Sequence, residues 1–263
     1  MTINQPKPKF LKDYLPPVYL IDKVDLQFDL FDDHTIVTSN LACRMNPNAN
    51  QNNASFEANG EGLELISLKI DGELCSTSDY STTGESLEIR KAPDQFLLEV
   101  VTKIYPHQNL SLEGLYKSGN MFCTQCEAEG FRKITYFPDR PDVMAKYSTK
   151  IIADKDKYPV LLSNGNLDSK GVLKGNRHWV QWVDPFEKPS YLFALVAGDL
   201  SYIEDQFITC SQKNVTLRIY VEKENIDKCD HAMLSLKQSM KWDEDVYGRE
   251  YDLDMFMIVA VND

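Results

Sequence analysis

Val24-Asp25-Leu26-Gln27-Phe28-Asp29-Leu30 decides the fold class, because apolar and polar side chains alternate along it without a break. A period of two sends one set to each face of a strand, so this segment belongs to a sheet with one covered and one wet face. Working outward, Leu98, Val100, Thr102 and Ile104 repeat the alternation, as does the stretch 178–183 with Trp179 and Trp182. Leu63 and Leu65 are followed by Ile66, Leu68 and Ile70, a change of phase that predicts a β-bulge. Asp71-Gly72 then signals a hairpin turn. Turn-rich stretches at 46–55 and 163–168 separate such runs, and the Asn-rich part at 46–53 reads as solvated loop. Many short strands with turn signals predict a mainly β, antiparallel architecture, a sandwich or a saddle-like sheet.

The character changes after about residue 200. Val215, Leu217, Ile219 and Val221 make one more strand. Cys229, Met233, Leu236 and Met240 then recur at steps of four, three and four, the stripe of an amphipathic helix. Asp227 and Asp230 favour its N-terminal end and Gly248 is its stop. Residues 251–261 read as a strand whose last seven positions are all apolar, which predicts burial on both faces.

The chain has 263 residues, enough for one large domain or two unequal ones. With 28 basic and 40 acidic side chains its net charge is −12, which argues against nucleic acid or an anionic membrane surface as the main partner and suits attraction of a cation. Hydrophobic residues at 43% supply a full core and exclude disorder. The first twenty residues hold no apolar core of a signal peptide, and the longest apolar runs, 191–197 and 255–261, are too short to span a bilayer. Six cysteines are too few for a disulfide scaffold, so the expected state is reduced thiols in the cytoplasm.

Metal and redox motifs are sparse. Cys123-x-x-Cys126 lacks the second pair of a zinc site and the strand–helix setting of a redox pair, so packing is the expected role. Cys229 stands close to His231 but belongs to the helix's apolar stripe. His34, His107, His178 and His231 are scattered, and none begins an H-E-x-x-H. One segment is less bland: Cys123-Thr-Gln-Cys-Glu-Ala-Glu-Gly-Phe-Arg132. If it is extended, Gln125, Glu127 and Glu129 project from one face and Thr124, Cys126 and Ala128 from the other. That face is either an ordinary solvated one or an acceptor patch fit for an ammonium group with its three donors.

The stretch TQCEAEGFRKITYFPDRPDV (124–143) resembles the signature of the bacterial aminopeptidase N family, zinc-dependent gluzincin exopeptidases. The likeness continues through LEGLYKSG (112–119), YPVLLSNGN (158–166), HWVQWVDPF (178–186), YLFALVAGDL (191–200) and MKWDEDVYGREYDLDMFMIVAV (240–261). Residues 31–60 are the least distinctive.

The resemblance implies a saddle-like N-terminal β domain over 1–199 and, over 200–263, the α+β start of a thermolysin-like catalytic domain. Family members carry G-A-M-E-N, the H-E-x-x-H zinc helix, a third-ligand Glu and a catalytic Tyr after this point. The expectation is therefore a chain that contributes no catalytic residue and no metal ligand, with zinc belonging to the complete enzyme. By position in the motif, Glu127 corresponds to the glutamate that binds the substrate's free α-ammonium, and Gln125 to the amide beside it. Glu129 carries no family role. The implied partners are peptides with a free N-terminus and the remaining catalytic and C-terminal domains of the same enzyme. The alternative reading is a truncated, non-catalytic β module that binds peptides or protein partners.

Overall fold

The structure, a computed structural model, describes residues 10–49 and 55–261. Its first strands are β1 (Tyr19–Leu30), β2 (Thr35–Met45), β3 (Phe56–Asn59), β4 (Glu64–Ile70), β5 (Glu73–Leu74) and β6 (Tyr80–Thr82). Then come β7 (Ser86–Ile89), β8 (Gln95–Ile104), β9 (Gly114–Ser118), β10 (Met121–Gln125), β11 (Met144–Asp154) and β12 (Val160–Ser163). The last are β13 (Asn166–Leu173), β14 (Arg177–Pro189), β15 (Leu195–Gly198), β16 (Ser201–Ile208), β17 (Asn214–Val221) and β18 (Met255–Val259), with helix α1 (Asp230–Tyr247) before β18.

An eight-stranded sheet runs in the order β13-β14-β11-β1-β2-β8-β4-β5. In β1 the side chains of Val24, Leu26, Phe28 and Leu30 are buried, while Asp25, Gln27 and Asp29 stay half-exposed, as the alternation requires. A bulge between Ile21 and Lys23 resets the phase, so Tyr19 and Ile21 also point inward. The expected bulge at 65–67 is present in β4, where Ile66 is the extra residue and is 52% exposed instead of joining the inward set. Asp71 and Gly72 both have positive φ, 51° and 87°, the geometry of a tight hairpin turn between β4 and β5.

Most pairs are antiparallel, but β1 and β11 run parallel from Lys23↔Lys146 to Asp29↔Ile152. A four-stranded sheet, β12-β15-β10-β9, and a small one, β3-β7-β6, complete this part. All three sheets feed one apolar core that holds Phe28, Leu41, Leu87, Leu98, Phe122 and Leu195. Two loop readings need correction. Asn46 is buried, donates to the Pro17 carbonyl at 2.7 Å and accepts from the Asn48 amide, so the Asn-rich stretch opens with an anchor; residues 50–54 of it lie outside the described set. Of the expected loop 163–168, only Asn164 and Gly165 turn, because β13 already starts at Asn166.

Beyond residue 200, the sheet β16-β17-β18 carries α1 on one face. Met233, Leu236 and Met240 pack with Cys229 against Val215, Leu217 and Ile219, and Gly248 ends the helix at φ 62°. The predicted strand at 251–261 is shorter than expected, and β18 is half-buried throughout instead of fully buried. Its all-apolar sequence still has a physical reason. Met255, Met257 and Val259 pack on the large core, while Phe256 and Ile258 pack on the helix side. Asn166 and Asp254 tie the two regions by reciprocal hydrogen bonds of 2.8 and 3.2 Å.

Candidate functional site

The segment that carries Gln125 and Glu127 begins as a strand and does not stay one. β10 pairs with β9 up to Gln125↔Gly114, and residues 127–130 then form a turn with a cis peptide between Glu127 and Ala128. A short 3-10 helix, Phe131–Lys133, follows. The extended face expected for Gln125, Glu127 and Glu129 is therefore not formed. Burial shows the actual plan: Cys126, Gly130 and Phe131 are buried, and Glu127, Ala128 and Glu129 between them are all exposed.

Two close approaches force the bend. A Cβ on Gly130 would lie 2.4 Å from the Gln125 carbonyl oxygen and 2.9 Å from the Gly114 nitrogen, so only glycine fits where the chain crosses back over β9 and β10. Phe131 then plugs into an aromatic cage, edge-on to Phe137 at 5.1 Å, to Phe193 at 5.4 Å and to Tyr147 at 6.1 Å. The turn is thus pinned by an apolar plug on each side, with its polar tip in water.

Electrostatics single out Glu127. The Arg132 side chain donates Nε–H to Asp139 Oδ2 at 3.1 Å and Nη2–H to the Asp139 carbonyl at 3.1 Å, while its Nη1 lies 3.3 Å from Glu129. Lys133 pairs with Glu113 at 2.6 Å and Glu61 at 3.5 Å, and its ammonium is held above the ordinary lysine range first by the Glu113 hydrogen bond. Both cations of this segment are therefore engaged by carboxylates. Glu129, to which the resemblance gave no family role, pairs with Arg132. Among the described residues the Glu127 carboxylate has no hydrogen-bond or ion-pair partner.

The remaining candidates are quieter. Cys123 and Cys126 are free and buried, and burial pushes the Cys123 thiol up to about 11 and that of Cys126 higher still. Neutral thiols in an apolar core are packing groups. Among the described residues one group of metal-capable side chains comes together, Cys210, Glu244 and Glu250, with ligand atoms within 4.8 Å of one another. It lacks histidine, and Cys210 spends its thiol proton on Glu250 at 3.1 Å. Such a set does not fit a catalytic zinc. Grooves of about 200 Å³, between Leu195 and Met257, and of about 910 Å³, along Tyr14, Arg132 and Arg140, both pass Glu127 by. Glu127 stands on an open surface of the described residues.

Asp139 and Ser190, which hold Arg132 in place, were not singled out by sequence reasoning. They lie far apart along the chain, and only the fold brings Ser190 Oγ to 2.5 Å from Asp139 Oδ1. The readable signal was the charged pair of Arg132 and Asp139 inside one quoted motif.

Comparison with known proteins agrees with this architecture. The Peptidase M1 N-terminal domain matches residues 21–192. Aminopeptidase N of Escherichia coli is 50% identical over 98% of this chain, and that of Haemophilus influenzae 51% over 97%; each match covers 29% of the relative. Legionella pneumophila aminopeptidase A, solved in complex with aspartic acid, superposes with a TM-score of 0.92 at 37% identity, over 96% of this chain and 30% of that one. A Deinococcus radiodurans M1 zinc metallopeptidase shares the fold at TM-score 0.76 and 13% identity, over 92% of this chain and 56% of its own. The chain spans about 30% of the length of the bacterial relatives it matches. It belongs to the M1 peptidase family and contains that family's N-terminal domain.

Proposed function

We propose that this chain is the N-terminal part of a zinc metalloaminopeptidase that removes N-terminal residues from peptides, and that its share of the work is to bind the substrate's free α-ammonium. The observation that carries the proposal is the Glu127 carboxylate, exposed and unpartnered among the described residues, on a turn whose own cations are already engaged. An ammonium brings a full charge and three donors to such an acceptor. Gln125, two residues earlier at the end of β10, adds a neutral amide for the substrate's first residue. An exopeptidase must measure one residue from the free amine, and a carboxylate held at a fixed place does so with an ion pair.

Zinc supplies an activated water when bound in such enzymes. The residues described here do not form its site, so their part is binding and orientation. We assign metal ligation and the second wall of the cleft to the remaining catalytic and C-terminal domains, and we place the domain boundary near residue 200. The separate small core around α1 supports that division. The six unpaired cysteines suit a reducing compartment such as the cytoplasm.

The test uses a hybrid enzyme in which this chain replaces the matching 29% of the Escherichia coli relative. A charge-assisted contact is worth about 1.5–3 kcal/mol, so Glu127→Ala should lower kcat/KM by roughly 10- to 150-fold. Gln125→Ala should cost less, because a neutral amide holds a cation more weakly. Binding of an analogue without the α-amine should be nearly indifferent to Glu127. Equal losses for amine-bearing and amine-lacking analogues would overturn the assignment and make Glu127 a shaper of the pocket.

A further inference from the structure

We propose that Asp139 and Arg132 are positioning residues for amine recognition: they fix the turn that presents Glu127, and by engaging the Arg132 guanidinium they leave the Glu127 charge for the substrate. This inference rests on the amine-binding reading of Glu127.

The Asp139 side chain is 1% exposed and none of its oxygens is idle. Oδ2 accepts from the Arg132 backbone N–H at 3.2 Å and from its Nε–H at 3.1 Å. Oδ1 accepts from Ser190 Oγ at 2.5 Å, and the main-chain carbonyl accepts from Arg132 Nη2 at 3.1 Å. The Asp139 N–H donates to Asn59 Oδ1 at 3.2 Å, and the backbone of Asn59 is paired in both directions with Phe137. One buried residue thereby links three places: its carboxylate holds the helical turn leaving the Glu127 loop and the segment between β14 and β15, and its backbone N–H holds the end of β3. A planar fork of donors is needed to reach two atoms of Asp139 and Glu129 together, which arginine provides and lysine does not.

The charge count matters as much as the tether. Arg132 lies five residues from Glu127, and a guanidinium with a free edge there would compete with a substrate amine for that carboxylate. Asp139 on one edge and Glu129 on the other occupy it, and the three groups together carry a net charge of −1. The segment that carries Glu127 therefore adds no unpaired cation and a net negative charge, which attracts an ammonium and repels a carboxylate terminus.

The hybrid enzyme separates this inference from the reading beneath it. Asp139→Asn should raise KM for an amine-bearing substrate by roughly tenfold and change kcat by less than about twofold, with the affinity of an amine-lacking analogue almost unchanged. Ser190→Ala, which removes one donor and no charge, should act in the same direction by roughly two- to threefold. In a Glu127→Ala background both substitutions should lose their effect, because groups that work through one residue are non-additive with it. Full additivity with Glu127→Ala, or equal damage to amine-lacking ligands, would show a merely structural role and overturn the proposal. If Asp139→Asn does not fold, Ser190→Ala decides by the same criteria. If Glu127→Ala shows no amine selectivity at all, the amine-binding reading fails by itself. Hydrogen exchange then still judges the tether: Asp139→Asn should speed exchange at Gly130 and Arg132 by roughly tenfold or more, and unchanged rates would refute it.

Discussion

The eight-stranded sheet and the small sheet after residue 200 bury their strands in different ways. In β1 from Val24 to Leu30 every second side chain is apolar because one face meets the core and the other meets water. In β18 every side chain is apolar because the strand lies between two cores, the large one under Met255, Met257 and Val259 and the helix-side one around Phe256 and Ile258. A run without alternation therefore records two covers on opposite faces, and neither cover need be complete, since β18 remains half-buried. The large core draws on three sheets, whereas the small one has α1 on one face of a three-stranded sheet and is joined to the first region by Met255, Met257 and Val259 and by the Asn166–Asp254 hydrogen bonds. The first region should thus set global stability and the second should open first.

Phe28→Ala gives the largest expected effect. Phe28 has no exposed surface and stacks on Phe193 at 5.8 Å, so its truncation should cost about 3–5 kcal/mol in urea unfolding of the whole chain. A cost under about 1 kcal/mol would mean that the large core is not the keystone. Met233→Ala, in the small core, should cost about 2 kcal/mol or more, yet its loss should appear in hydrogen exchange only beyond residue 200. If β1 and β2 lose protection as well, the two regions are one cooperative unit and the contrast fails.

The smallest effect concerns a surface tie of the second region. Hydrogen bonds from Ser211 first, then Thr209 and Cys210, hold the half-exposed Glu250 carboxyl down at about 2 against an ordinary 4.5. A depressed carboxyl stabilises fully above its unfolded value, and that contribution disappears as pH falls through the folded one. The tie between the 209–213 turn and the segment after α1 should therefore survive at pH 5 and loosen between about pH 4.5 and 2. Carboxyl NMR titration reads this directly. A Glu250 midpoint near 4.5 would show that the tie is absent in solution.

Much of the sheet was legible because covered and wet faces leave a period in the chain, as at 24–30 and 98–104. The helix was legible from the spacing of Cys229, Met233, Leu236 and Met240 and from Gly248. Ile66 was misassigned, because a bulge announces its neighbourhood but not which residue it expels. The parallel partner of β1 was not legible, since no local pattern names a strand so distant. At the candidate site, the geometry of the segment was not legible. Period-two reading carried the strand past Gln125, whereas Gly130 crossing over Gln125 and Gly114 bends the chain there. That contact, like the one between Asp139 and Ser190, exists only after folding.

The parallel pairing of β1 with β11 also sets a timetable for synthesis. β1, β2 and β8 can zip together as soon as they are made, but the other edge of β1 stays open until the chain has grown past residue 150. An apolar strand with a row of unpaired amides and carbonyls is a template for the wrong partner. Long-range parallel pairing is also slow to form, because the intervening loop must close before any contact rewards it. During that interval the nascent chain offers the edge of residues 23–29 to chaperones or to its neighbours on the polysome, and arrival of 146–152 is the event that ends the exposure.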